Sequence, residues 1–127
     1  MNRLFFFLVL FLSCYTGCRE KVPPIIRFCS DISPEYPCIG EDSVFISGSY
    51  VWVQLLLNPG YKDTLVTGNL YGYQEGERIF IGSKDHILST DQTIVMEALF
   101  LNLSGYYEVD FLDSRGRLLA SGKFEIW

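Results

Sequence analysis

The most constraining stretch of the chain is Leu99-Phe100-Leu101-Asn102-Leu103-Ser104-Gly105-Tyr106-Tyr107-Glu108-Val109-Asp110-Phe111. Apolar residues alternate on both sides of Ser104-Gly105, which reads as one strand ending, a tight corner, and a second strand starting. Period-two alternation puts Tyr107, Val109 and Phe111 on one face. A tyrosine just past such a corner can turn its ring into a core and cap the corner with its hydroxyl. That arrangement suits a β-sandwich, with the other strands packed around it.

The rest of the chain supplies those strands. Ile25 to Phe28 can open the first, and Ser43 to Ile46 is a short candidate. Tyr50 to Leu57 is rich in β-branched and aromatic residues, with Val51, Val53, Leu55 and Leu57 on one face and Tyr50, Trp52, Gln54 and Leu56 on the other. Asn58-Pro59-Gly60 ends it as a turn. Leu65 to Tyr73 follows, with Gly68 and Gly72 as bends, then a hairpin loop at Gln74 to Glu77. Arg78 to Ile81 returns, and Gly82 to Asp85 is read as its end. Gln92 to Leu101, Tyr106 to Leu112, and a last strand from Arg117 to Trp127 broken at Ser121-Gly122 complete the set. No segment keeps a helical period. The expectation is an all-β fold, a single sandwich of about seven antiparallel strands.

Length and charge narrow the function classes. A chain of 127 residues suggests one domain, and 49% hydrophobic residues can build a core. Ten basic residues against 15 acidic give a net charge of -5, which argues against a nucleic-acid partner and gives no pull toward anionic lipid.

The N-terminus reads as an address. Asn2-Arg3 precedes an unbroken apolar run from Leu4 to Leu12, too short to span a bilayer and fitting a secretory signal. Thr16-Gly17-Cys18 then resembles the end of a bacterial lipoprotein signal, although Tyr15 departs from the aliphatic place in that pattern. The resemblance implies a signal over residues 1–17, lipidation (palmitate and diacylglycerol) at Cys18, and a tether over 18–24 that includes Pro23-Pro24. It implies a membrane-anchored protein of the bacterial cell envelope. With Cys18 lipidated, Cys14 leaves with the signal, and Cys29 and Cys38 remain as an even pair expected to form a disulfide. A metal site is the alternative for that pair, but His86 is the only histidine that could join it.

Residues 25–127 form the expected domain. From Val51 onward it resembles immunoglobulin-like modules of bacterial surface proteins, including cell-adhesion-related domains. The resemblance lies in Leu57-Asn58-Pro59-Gly60, Gly68-Asn69-Leu70-Tyr71, Ile79-Phe80-Ile81-Gly82, Gly105-Tyr106-Tyr107 and Leu112-Asp113-Ser114-Arg115-Gly116. It implies a fold and transfers no site.

No catalytic set emerges from the residues. His86 sits beside Asp85 with Ser83 and Ser89 near, which reads as a solvated loop. Glu75 and Glu77 read as a hairpin tip, and Asp31, Glu35, Glu41 and Asp42 lack the ordered spacing of a calcium loop. The aromatic residues are the positive hint: Trp52, with Tyr71 and Tyr73, could hold a sugar or a protein loop if exposed together. The resulting expectation is a lipid-anchored envelope binding or assembly module without catalytic activity, metal or cofactor. Its partner would be an envelope protein or glycan. The alternatives are an accessory subunit pairing through a strand edge, and an envelope hydrolase.

Overall fold

A computed structural model describes residues 23–127, all strand, turn and loop. Its eight strands are β1 (Ile25–Cys29), β2 (Val44–Phe45), β3 (Tyr50–Leu56), β4 (Leu65–Gln74), β5 (Glu77–Ile87), β6 (Ile94–Phe100), β7 (Gly105–Asp113) and β8 (Leu118–Ile126). They form two sheets, one of three strands in the order β1-β3-β6 and one of five in the order β2-β8-β7-β4-β5. The all-β sandwich expectation holds. The pairing is not wholly antiparallel, because β2 runs parallel to β8.

The alternation of the sequence sets the layers. Val51, Val53 and Leu55 of β3 and Val66 and Phe111 of the facing sheet are fully buried between them. Phe28 on β1 meets Phe124 on β8 at 4.9 Å between ring centroids, and the Tyr107 ring stacks on Phe124 at 5.6 Å. The Tyr107 hydroxyl donates to the Leu103 carbonyl at 2.7 Å, so the tyrosine caps its corner from within the core. Gly122 lies under Phe28: a Cβ there would meet two ring carbons at 2.8 Å. β8 continues through Ser121-Gly122, where the sequence suggests a break, because both residues stay paired with Asp110 and Val109 of β7.

Cys29 and Cys38 are joined, as expected, with Cα atoms 5.4 Å apart. The bridge pins the loop between them across the outer face of the three-stranded sheet. There Gln54 Nε2 donates to the Pro37 carbonyl, which explains a glutamine that is almost fully buried on an outward position.

The largest departure from the sequence reading is β5. Gly82 to Asp85 does not end the strand; pairing with β4 continues to Ile87 opposite Leu65. A bulge between Leu70 and Tyr71 of β4, opposite Ile81, absorbs one extra residue on β5. The hairpin that starts β5 turns on Glu75 and Gly76, both at positive φ (52° and 81°), the pattern of a two-residue hairpin turn.

Candidate functional site

Two clusters of chemistry stand out. The first lies on the outer face of the five-stranded sheet. The register sets Tyr73 opposite Arg78, Tyr71 opposite Glu108, and Glu108 opposite Lys123. Arg78 Nη1 donates to Glu108 at 3.0 Å and to Asp110 at 3.1 Å, and its guanidinium lies 3.9 Å from the centre of the Tyr71 ring. The Tyr73 hydroxyl donates to Glu108 at 2.6 Å, and Ser121 Oγ donates to Asp110 at 2.6 Å. Both carboxylates are buried beneath these partners. Burial pushes the Glu108 carboxyl up, but the bonds from Tyr73 and Arg78 outweigh it and hold the group below its ordinary range. The network is closed: its cations lie over the rings and its carboxylates are satisfied, so it braces four strands and leaves little for a ligand to bind.

Tyr71 and Tyr73 therefore do come together, but Trp52 does not join them. It lies on the outer face of the opposite sheet beside Tyr50, at 6.5 Å between ring centroids. The expected aromatic trio is split by the thickness of the sandwich, because strands β3 and β4 belong to different sheets. Cys18, the expected lipidation residue, lies outside the described residues.

The second cluster is one the sequence reading passed over. His86 is on β5, opposite Val66, and so faces inward. Glu97 is on β6, opposite Val53, and faces inward too. The two meet where the sheets part, with His86 Nε2 3.4 Å from Glu97 Oε2 and both side chains about seven-eighths covered. Gly68 makes the room: a Cβ there would stand 3.0 Å from Glu97 Oε2 and 3.0 Å from the Phe111 ring. Beside the pair opens a cleft of about 290 Å³, floored by Leu70, Leu99 and Val109 and rimmed by Asn69, Ser83 and Lys84, with Glu97 inside it. The sequence did carry a signal for this. In Val95-Met96-Glu97-Ala98-Leu99 the inward positions read apolar, charged, apolar, and a charge on a core face needs a partner or a purpose.

A larger groove of about 450 Å³ lies between the β4–β5 hairpin and the β6–β7 corner, lined by Ile79, Ile81, Phe100, Leu103 and Tyr107 among others. It holds no charged side chain to orient a ligand.

No family model matches the chain, and no curated protein does. Among solved structures, the fold is similar to the superoxide reductase (neelaredoxin) from Ignicoccus hospitalis. The TM-score is 0.51 with 15% identity, over 84% of this chain and 81% of that one. Two variants of the same enzyme match at TM-scores of 0.49 and 0.46, too low to add an argument.

The first of these corrects the sequence reading. The fold is similar to that of a superoxide reductase and not to an immunoglobulin-like cell-adhesion module. The lipoprotein, membrane and palmitate readings gain no support from any comparison. The expectation of an envelope module without catalytic activity is overturned as well, since the fold is one that enzymes use. At 15% identity the likeness shows the fold alone. A one-electron reductase needs a redox centre, which proteins commonly hold through imidazole and thiolate ligands. Here there is one histidine in the whole chain, and the two described cysteines are bonded to each other. Among the described residues no three His, Cys, Asp or Glu side chains stand where they could hold a metal ion. The described donor set does not fit such a centre.

Proposed function

We propose that this protein binds a small zwitterionic molecule in the cleft between its two sheets, with the Glu97 carboxylate as the anchor for its ammonium group. The observation that carries the reading is the inward-facing Glu97 carboxylate. It stands at an apolar cleft with one long contact to His86, and Gly68 leaves space in front of it. The outer network has its charges matched; this site does not. An ammonium group suits Glu97. A short methylene chain suits Leu70, Leu99 and Val109, and a carboxylate suits Lys84 on the rim. A cleft of about 290 Å³ suits a molecule of amino-acid size. A charge-assisted hydrogen bond of this kind contributes roughly 1.5–3 kcal/mol, or tenfold and more in affinity.

The test is a two-dimensional amide NMR titration of the full chain with 4-aminobutanoate. Shifts confined to Gly68, Gly82, Ser83, Lys84 and Glu97 are expected, and Glu97→Gln should weaken them at least tenfold while the fold persists. Shifts unchanged in Glu97→Gln, or none at tens of millimolar, would refute the proposal.

A further inference from the structure

Strand β5 is the edge of the five-stranded sheet, and it is a long one. Ten of its eleven residues pair with β4 on one side, all but Ile81, and the strand pairs with no other on its far side among the described residues. At ~3.4 Å per residue that is about 35 Å of free edge, ready to pair with another strand. Its apolar residues are uncovered: Ile79 is 41% exposed, Phe80 56%, Ile81 51% and Ile87 85%.

We propose that β5 pairs antiparallel with β5 of a second copy of this chain, about a two-fold axis between Ile81 and Gly82. Two independent features of the strand select that register. The first is the bulge. Phe80 opposes Tyr71 and Gly82 opposes Leu70, so Ile81 is the extra residue and the alternation slips by one there. Arg78 and Phe80 before it, and Ser83 and Asp85 after it, all lie on the outer face. In a two-residue hairpin the closing pair, Gln74 and Glu77, is hydrogen-bonded, and bonded pairs alternate along the ladder from there. Counting from it, the same four residues aim their N–H and C=O away from β4. A two-fold between Ile81 and Gly82 sets Arg78 against Asp85 and Phe80 against Ser83. Faces and free backbone groups then match on both halves of the strand. A register shifted by one residue would match neither.

The second feature is charge. In this register Arg78 meets the other copy's Asp85, twice about the axis. The shift by one would instead set Glu77 against Asp85 and Arg78 against Lys84, like charges directly opposed. Arg78 gives only Nη1 to Glu108 and Asp110, and its remaining donors can reach a carboxylate beyond the edge. An exposed, charge-patterned edge that is self-complementary in one register fits a closed dimer better than open-ended aggregation.

Sedimentation equilibrium of the full chain in density-matched nonionic detergent tests this. The native chain should be a dimer at tens of micromolar. Ser83→Pro removes a free-edge N–H without touching the β4 ladder and should give a monomer with an unchanged circular dichroism spectrum. Asp85→Lys should weaken the dimer at least tenfold at low salt, with a smaller effect at high salt. A native monomer at 100 micromolar, or a dimer indifferent to Ser83→Pro, would overturn the proposal. None of these outcomes depends on whether the cleft binds a ligand.

Discussion

Gly68→Ala probes both the packing and the site in one change. Gly68 sits mid-strand in β4, where alanine is intrinsically better by about 0.5–1 kcal/mol. The added Cβ would stand 3.0 Å from a Phe111 ring carbon and 3.0 Å from Glu97 Oε2. The carboxylate can swing away, but Phe111 is fully buried and has nowhere to go. Overpacking of this kind costs about 1–3 kcal/mol, so the net loss is about 1 kcal/mol. For a domain of this size that lowers Tm by roughly 4–8 °C. Calorimetric or circular dichroism melts measure it directly. The same displacement takes Glu97 out of the position that faces the cleft, so binding of 4-aminobutanoate should fall at least tenfold. A Gly68→Ala protein as stable as the native chain and binding equally well would refute both the packing argument and the placement of the ligand.

Other outcomes follow from single groups. Tyr61→Phe should be neutral or stabilise by ~1 kcal/mol in urea unfolding, because the Tyr61 hydroxyl is buried with no hydrogen-bond partner. Tyr107→Phe should destabilise by ~1 kcal/mol through loss of the bond to the Leu103 carbonyl. Replacing both Cys29 and Cys38 with serine should cost about 3 kcal/mol in the same assay. Acid should destabilise the fold in a defined window. Hydrogen bonds from the Ser114 side chain and backbone lower the Asp63 carboxyl to about 2, and bonds from the Arg117 backbone and side chain lower that of Asp113. Groups depressed in the folded state stabilise it above their unfolded values near 4, and that contribution is lost as pH falls through the folded values. Urea midpoints should therefore drop between pH 4 and pH 2, and Asp63→Asn should flatten the low end of that drop. A midpoint that rises on acidification would contradict the assignment.

Much of the fold is legible in the sequence because it rests on alternation. Val51, Val53 and Leu55 announce a core face, and Tyr107 announces its corner, without any tertiary knowledge. What the residues hide is sheet membership. Trp52 and Tyr71 look equivalent along the chain, yet β3 and β4 enter different sheets and the rings end on opposite sides. The end of β5 was hidden for another reason. Gly82-Ser83-Lys84-Asp85 has the composition of a turn, but it pairs as strand on an exposed edge where no packing demands apolar residues. Taken as a loop, that stretch leaves His86 a solvated histidine and hides its meeting with Glu97. That meeting is a tertiary fact between strands of opposite sheets, and only the charge on the inward face of β6 pointed to it.

The central claim is that a small zwitterion sits against Glu97 in the inter-sheet cleft. Isotope-filtered NOE spectra of the full chain with 4-aminobutanoate test it most directly. Cross-peaks are expected from the ligand methylenes to the methyl groups of Leu70, Leu99 and Val109. Cross-peaks to Ile79, Ile81 and Leu103 would place the ligand in the other groove and contradict it, as would the absence of any under saturating ligand.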